Sequence, residues 1–248
     1  MRLGRLILII FIIALLWGFF SGSAGFGERG ETEAPGSSMV VKAQRFMNLS
    51  AAVKERVAEQ HGTYVSLEEI PLSLQQAVIA TEDIRFYRHY GVDLEGVARA
   101  AFTNLQDGQF TEGGSTITQQ LVKNLFLSQD KTISRKIEEV VLALGVEMRF
   151  SKDEILEMYL NKIYYGSGTY GVNAAAETYF GKQSKDLSLA EAAMLAGLPQ
   201  APSLYSPYVN FTAAKQRQAM VLDLMTRHGF ISPGMAEKAK KEPLQLAK

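Results

Sequence analysis

The sequence predicts an all-α fold, in which one helical domain follows one N-terminal membrane helix. Three observations support this prediction: an apolar segment near the N-terminus, repeated helix-start signals, and apolar residues that recur at helical spacing. No comparable run of residues alternates in the manner of a β-strand. The chain has 248 residues, of which 47% are hydrophobic and 21% are charged, so it can bury a core of ordinary size.

The membrane helix is predicted from residues 6–20, which read LILIIFIIALLWGFF. Uncharged residues follow and extend this segment towards the ~20 residues that cross a bilayer. Arg2 and Arg5 precede the segment, and because positive residues stay on the cytoplasmic side, the rest of the chain is expected outside. A cleaved signal peptide is the alternative, since small residues occupy positions 21–24, but the length of the apolar run favours a retained anchor.

Three parts are therefore expected: a membrane anchor at residues 1–26, a flexible tether at 27–45 and an extracytoplasmic domain at 46–248. The tether contains the sequence GERGETEAPGSS. Its glycine, serine, proline and charged residues are typical of a flexible linker.

Helix starts within the domain are indicated by capping boxes, in which Ser or Thr is followed three residues later by Glu or Gln. The pairs are Ser73 with Gln76, Thr116 with Gln119, Ser151 with Glu154, and Ser188 with Glu191. Two apolar helix faces are predicted from spacing: Ile137, Val140, Val141, Leu144 and Met148, and Leu156, Tyr159, Leu160 and Ile163. Gly197 and Pro199 are expected to end one helix. Ser232 and Pro233 are expected to open the last one.

Composition excludes several classes of protein. Lys and Arg number 26 and Asp and Glu also number 26, and this neutral balance argues against nucleic acid as a partner. The chain has no cysteine, which excludes disulfides, zinc–thiolate sites and thiol nucleophiles. His61, His89 and His228 are scattered without metal-ligand spacing, so no metal site is predicted.

Two motifs are interpreted as chance matches. The sequence GSGTYG at 166–171 matches the dinucleotide fingerprint, but that fingerprint needs a strand before it, and here a helix is predicted. A glycine-rich turn between helices is the simpler interpretation. The sequence SQDK at 128–131 matches S-x-x-K of the penicillin-recognising enzymes, yet no later K-T-G or S-D-N follows.

A charged segment, ATEDIRFYRHYGVD at 80–93, follows the apolar helix residues Leu74, Ala77 and Val78. This placement puts Glu82 at the edge of the core. Burial there would raise the pKa of a carboxyl group towards neutrality, which suits a general base. A charge cluster at the C-terminus of a helix is the simpler interpretation of this segment when it is taken alone.

A polar stripe is predicted next, within GGSTITQQLVKN at 113–124. Thr116, Gln119, Gln120 and Lys123 recur at helical spacing. Uncharged polar residues that end in one lysine are typical of a wall that lines a sugar or a phosphate, although a solvated face is the alternative. The amides at the N-terminus of this helix would add affinity for an anion.

A basic stretch follows, formed by Lys123, Lys131, Arg135 and Lys136. In an otherwise neutral domain it predicts an anion site. A basic stripe that faces anionic lipid headgroups is compatible with the same residues. Arg135 with Glu139 also has the spacing of an ordinary i,i+4 helix pair.

Four blocks together carry a family resemblance. They are EDIRFYRHYG at 82–91, GGSTITQQLVKN at 113–124, RKIEE at 135–139 and KDEILEMYLN at 152–161. In order and spacing the blocks resemble the signatures of the peptidoglycan glycosyltransferases of glycosyltransferase family 51. The later stretches YGVNAAAETYFGK and LSLAEAAMLAGLPQAP look like the same family. The resemblance runs from about Tyr64 to Met225.

The resemblance implies a lysozyme-like fold of two lobes, with a smaller lobe near residues 85–113 that dips into the membrane. It implies an enzyme that polymerises lipid II into β-1,4-linked glycan strands, with inversion and release of undecaprenyl pyrophosphate. The expected location is the bacterial inner membrane, single-pass, with the N-terminus inside and the catalytic domain in the periplasm. Lipid II, the growing glycan strand and the membrane are the expected partners, and other cell-wall synthases or division proteins are further candidates. No transpeptidase domain follows, so a monofunctional member is expected.

The resemblance also implies the roles of individual residues. Glu82 resembles the catalytic base and Glu139 the second carboxylate, which would orient the basic cluster or help to bind a divalent ion. No cofactor is obligatory, and a divalent cation, Mg²⁺ or Mn²⁺, beside the pyrophosphate is left open. Lys131 stands where many relatives have arginine, which keeps the charge and loses the planar fork. The implied substrate-binding residues are Asp83, Phe86, His89, Ser115, Thr116, Gln119, Gln120, Lys123, Asn124, Lys131, Arg135 and Lys136.

Two other functions stay open at this point. One is a lysozyme-like lytic enzyme that cuts glycan strands. The other is a non-catalytic membrane scaffold for cell-wall synthesis, against which the presence of both Glu82 and Glu139 weighs.

Overall fold

A computed structural model of the chain describes residues 46–59, 63–107, 113–128 and 132–247. The predicted anchor, the predicted tether and Lys131 lie outside these residues. Within the described ranges, no helix is long and apolar enough to cross a bilayer.

The described residues are mostly helical, as the sequence predicts. The helices are α1 (Leu49–Ala58), α2 (Leu72–Glu82), α3 (Leu94–Asp107), α4 (Ile117–Phe126), α5 (Ile133–Glu147), α6 (Lys152–Lys162), α7 (Val172–Phe180), α8 (Leu189–Gly197), α9 (Pro202–Tyr205), α10 (Phe211–Arg227) and α11 (Pro233–Lys241). Short 3-10 turns occur at Leu67–Glu69, Phe86–Arg88 and Ser184–Asp186. Two strands, β1 (Tyr164–Gly166) and β2 (Thr169–Tyr170), form one antiparallel hairpin.

Three of the four predicted capping boxes are confirmed, at Thr116, Ser151 and Ser188. The box at Ser73 is wrong, because α2 begins at Leu72, after Pro71, two residues before the start that this box requires. The carbonyl group of Pro71 accepts the first hydrogen bonds of that helix, from the amides at 74 and 75. Ser73 therefore lies inside the first turn, where it cannot act as a cap. The predicted helix ends near Gly197 and the predicted start at Ser232 are confirmed.

The predicted apolar face of α6 is confirmed, since Leu156, Tyr159, Leu160 and Ile163 are all buried. On α5 the prediction is largely wrong: of the five predicted residues only Val141 is buried, while Ile137, Val140 and Leu144 are half-buried and Met148 is 76% exposed. The buried face of α5 is instead formed by Glu139, Val141, Ala143, Gly145 and Val146, and it carries one carboxylate into the interior.

The hairpin of β1 and β2 was not predicted, because two or three residues are too few to show strand alternation. Its turn, at Ser167 and Gly168, lies within the glycine-rich segment GSGTYG. Gly166 and Gly168 have φ of +89° and +75°, which glycine adopts without strain. The segment therefore contains a turn between α6 and α7, as expected, but the residues directly before that turn form a short strand rather than the predicted helix.

The core is centred on α8, whose residues from Ala190 to Gly197 are all buried. This helix packs against α2 and α10, and α10 packs in turn against α2. Alanine and glycine dominate α8, and small side chains allow the neighbouring helices to approach closely. On the other side of the domain, α4 packs between α5 and α6. The C-terminus of α2 meets α4 through the hydrogen bonds of Glu82 with Gln120 and of Asp83 with the amide of Ile117, and the polar site lies there.

Gly91 shows how tightly the segment after α2 is seated on α5. Its φ is +79°, and a Cβ atom would lie 3.0 Å from the carbonyl carbon of Ala143. Gly168 also has a positive φ, but no described atom lies within 4 Å of a Cβ placed there. We expect Gly91→Ala to lower the free energy of unfolding by about 1–3 kcal/mol more than Gly168→Ala, because only the first change overpacks a backbone contact. Urea denaturation of the two variants measures this difference, and equal losses would contradict the packing argument.

Candidate active site

The candidate general base, Glu82, is the last residue of α2 and is half-buried. Its Oε2 atom accepts a hydrogen bond of 2.8 Å from Nε2 of Gln120. The amide oxygen of Gln120 accepts in turn from the hydroxyl group of Tyr159, at 3.1 Å. Because Tyr159 fixes which end of the amide faces Glu82, Gln120 can only donate to the carboxylate. Glu82 and Gln120, both predicted site residues, are therefore in direct contact.

The environment of Glu82 favours a carboxyl group that can accept a proton. Burial raises the pKa of Glu82, and the negative charge of Asp83 raises it further. The hydrogen bond from Gln120 and the positive charge of Arg217 lower the pKa, by less than burial raises it. Tyr159 and Tyr165, both fully buried, have raised pKa values because of burial and of the charge of Glu82. The two phenols therefore stay neutral beside the carboxylate.

Asp83 and His89 hold the chain that follows α2 against the N-terminus of α4. Both carboxylate oxygens of Asp83 lie within hydrogen-bond distance of Nε2 of His89, at 3.0 and 2.9 Å. The Oδ2 atom also accepts from the backbone amide of Ile117, at 3.0 Å. At the N-terminus of α4 the amide of Ile117 is thus already paired with the carboxylate of Asp83.

The predicted polar stripe on α4 divides into two parts. Thr116 and Gln119 are buried and close the capping box, and the hydroxyl group of Thr116 donates to the carbonyl oxygen of Gly91 at 2.7 Å. Gln120 and Lys123 are half-buried. The first pair builds the helix start, whereas Gln120 contacts Glu82 and Tyr159, and Lys123 is the member of the stripe that is available to a ligand.

The remaining predicted residues of this region differ in burial. Phe86 is fully buried, and the ammonium group of Lys152 lies 4.4 Å from the centre of its ring. Asn124 is exposed. Lys123 forms no hydrogen bond or ion pair with any residue in the described part of the chain. It is therefore a cation whose charge is available.

A second cluster joins the start of α5 to the loop before α4. Glu139 is only 2% exposed, and its Oε2 atom pairs with Nη1 of Arg135 at 2.8 Å. Its Oε1 atom pairs with the ammonium group of Lys136. That ammonium group also donates to the hydroxyl group of Ser115, at 2.9 Å. Four predicted residues are thus brought together, and two cations share one anion, which leaves a net positive charge.

A direct metal ligand does not fit Glu139, since both of its oxygens are already in ion pairs. Among the described residues, no group of three or more His, Cys, Asp or Glu side chains is arranged to hold a metal ion. The geometry of Glu139 suits the other predicted role, which is to orient Arg135 and Lys136.

Sequence reasoning missed Arg217, which lies on α10 and whose charge acts on Glu82. A signal for it exists in the sequence, because Arg217 lies at the helical spacing of Ala214 and Val221. An arginine on the buried face of a helix needs an acidic partner or a polar ligand. Tyr159 was predicted, but only as part of the core.

Comparison with known proteins agrees with the family resemblance described for the sequence. A family model described as Transglycosylase matches residues 49–226. Penicillin-binding protein 1A of Aquifex aeolicus is 49% identical over 185 residues, which are 75% of this chain and 26% of that protein. Penicillin-binding protein 1F of Bacillus subtilis is 48% identical over 182 residues, which are 73% of this chain and 26% of that protein.

A solved structure, penicillin-binding protein 1A from Haemophilus influenzae, is 29% identical and has a TM-score of 0.47. The match covers 77% of this chain and 19% of that one. The chain thus aligns with about a quarter of the length of the curated relatives described above.

Proposed function

This chain belongs to the transglycosylase family, the peptidoglycan glycosyltransferases of glycosyltransferase family 51, and from that premise we propose that it polymerises lipid II into β-1,4-linked glycan strands. The observation that carries the proposal is the half-buried carboxylate of Glu82, with its raised pKa, on the same side of α4 as a net-positive cluster. The segment that opens α4 links the two: the amide of Ile117 donates to Asp83, next to Glu82, and Ser115 accepts from Lys136. In the proposed reaction Glu82 accepts a proton, and the positive cluster binds the leaving anion.

Glu82 is the proposed general base. It accepts the proton of the 4-hydroxyl group of the acceptor GlcNAc while that oxygen attacks the anomeric carbon of the donor MurNAc. The bond between the anomeric carbon and the pyrophosphate breaks, and its electron pair leaves with undecaprenyl pyrophosphate. Attack from the opposite face converts an α linkage into a β linkage. Gln120 supports this step because its amide donates to only one carboxylate oxygen, Oε2.

Lys123, Arg135 and Lys136 are the proposed partners of the leaving pyrophosphate. A pyrophosphate needs charge neutralisation more than it needs a proton, and arginine and lysine donors supply this charge. Glu139 holds Arg135 and Lys136 in place through its two ion pairs. The proposed mechanism contains no step through a divalent cation.

The proposed setting is the outer face of the inner membrane, where lipid II, the growing strand and the membrane surface would meet the domain. Other cell-wall synthases or division proteins are further proposed partners. The anchor predicted at residues 1–26 would hold the domain at that face.

The direct test incubates the full chain in detergent with purified lipid II, with and without Mg²⁺ or Mn²⁺, and resolves the products by size. Long glycan strands are expected. Two other outcomes would overturn the proposal. In a parallel incubation with purified sacculi, release of soluble muropeptides, with no polymer formed from lipid II, would indicate a lytic enzyme. Binding of lipid II without turnover would indicate a scaffold.

A further inference from the structure

Arg217 is a buried cation in an unusual position. Its residue is only 8% exposed. Its Nε atom donates to the carbonyl oxygen of Gly197 at 3.3 Å, and its Nη1 atom lies 3.1 Å from the sulfur atom of Met220. The guanidinium carbon lies 5.6 Å from the centre of the Tyr205 ring. These contacts fix the side chain, but none of them neutralises its charge.

A buried charge without compensation is costly, so the acid that balances Arg217 matters. No carboxylate in the described ranges lies within ion-pair distance of it. The acid whose charge acts on Arg217 is Glu82, at the end of the helix α2 against which α10 packs. Glu82 is therefore the group that compensates the buried guanidinium, from beyond contact distance.

Because Arg217 and Glu82 do not form a contact ion pair, the guanidinium group does not occupy the carboxylate oxygens. A contact ion pair would occupy the carboxylate oxygens, as Arg135 and Lys136 occupy both oxygens of Glu139. In Glu82, Gln120 takes Oε2, and Oε1 has no hydrogen-bond partner in the described part of the chain. A cation held at a distance favours the ionised carboxylate and leaves Oε1 free to accept a proton.

We propose that Arg217 is a positioning residue for Glu82: its buried guanidinium, held by Gly197, Met220 and Tyr205, keeps the catalytic carboxylate ionised without covering it. The proposal rests on the proposed function, because the ionisation of Glu82 matters for catalysis only if Glu82 is the general base. The absence of a side chain at Gly197 leaves the space that Arg217 occupies, since a Cβ atom on Gly197 would lie 2.7 Å from Cγ of Arg217.

The charged and titratable groups that interact electrostatically with Glu82 come from four parts of the fold. Asp83 follows it on the chain, Tyr159 lies on α6, Tyr165 on β1 and Arg217 on α10. Arg217 is the cation of this set. Burial raises the pKa of Glu82 and Arg217 opposes that rise. Removal of the guanidinium therefore leaves the carboxyl group protonated up to a higher pH.

The test measures kcat/KM for lipid II polymerisation against pH, in the full chain, for wild type, Arg217→Gln and Arg217→Lys. The acidic limb of this profile reports the ionisation of the free enzyme's base. We expect the limb of Arg217→Gln to move upward by about one pH unit, with activity recovered at higher pH. The lysine variant keeps the charge, so its limb should stay close to wild type. An unchanged limb in Arg217→Gln would overturn the proposal.

Arg149→Gln is the matched control. Arg149 also lies over an aromatic ring, 4.7 Å from the centre of Phe46, and also donates to backbone carbonyl groups, those of Gly145 and Phe46. Its loss should lower stability and leave the acidic limb unchanged, and an equal shift in this control would overturn the specific role of Arg217. If Arg217→Gln does not fold, Gly197→Ala tests the same point by displacing the side chain, and an unshifted limb then counts against the proposal.

A second measurement does not depend on turnover. The pKa of Glu82 can be followed by ¹³C NMR of glutamate-labelled protein, with Glu82→Gln to assign the signal. The pKa should rise in Arg217→Gln and not in Arg149→Gln. If wild type makes no polymer, the proposed function fails, and this titration still decides whether Arg217 controls Glu82. A titration that is identical in wild type and Arg217→Gln would overturn the inference.

Discussion

Glu82→Gln is expected to reduce the rate of lipid II polymerisation by about 10²- to 10⁴-fold, the usual contribution of a general base. Glutamine has nearly the same shape as glutamate, and its amide oxygen can still accept the hydrogen bond that Gln120 donates to Oε2. What it cannot do is accept the proton of the attacking hydroxyl group. Initial rates with purified lipid II measure the effect.

The fold should survive this change, because glutamine keeps the shape of the side chain and the hydrogen bond with Gln120. Loss of a partly buried charge stabilises the fold, whereas loss of the charge that compensates Arg217 destabilises it, so thermal unfolding should give a midpoint close to that of wild type. Glu154→Gln is the matched control, since Glu154 caps the exposed start of α6 and glutamine serves equally well in a capping box. Wild-type rates in Glu82→Gln would refute the assignment of the base, and a large loss in Glu154→Gln would show that the assay reports stability.

The helices could be predicted from the sequence because their start signals are local. A side chain that caps a helix does so within three residues, as at Thr116, Ser151 and Ser188, so it can be recognised without knowledge of the fold. The same rule failed at Ser73, where Pro71 opens the helix. The hairpin near Gly166 escaped prediction because its pairing involves too few residues to leave a period.

The candidate site was predictable where its residues lie close in sequence. Glu139 with Arg135 and Lys136 lies within one helix, and the structure confirms their contact. The arrangement around Glu82 depends on packing between α2, α4, α6 and α10, which no local pattern encodes. This is why Arg217 was missed. Thr116 and Gln119 carried two predictions, a capping box and a ligand-facing stripe, and the structure shows them buried in the capping box.

Asp83→Ala is expected to have the largest effect on stability. Asp83 is 8% exposed, and its carboxylate is the acceptor for Nε2 of His89 and for the backbone amide of Ile117. Alanine leaves both donors buried without a partner, at a cost of about 1–3 kcal/mol each. A total loss of roughly 2–6 kcal/mol is a large part of the ~5–15 kcal/mol that stabilises a typical domain. Urea denaturation in detergent measures the change in the free energy of unfolding.

Asp223→Ala separates this effect from the simple loss of a carboxylate. The side chain of Asp223 is 60% exposed and pairs with Lys240, and exposed pairs contribute less than about 1 kcal/mol. Asp83→Asn should lie between the two variants, because its amide oxygen can still accept one of the two hydrogen bonds. A small loss in Asp83→Ala would show that water satisfies His89 and Ile117, and that the segment after α2 is held to α4 by other contacts. A large loss would instead show that the carboxylate of Asp83 holds the segment after α2, which begins beside Glu82, against α4.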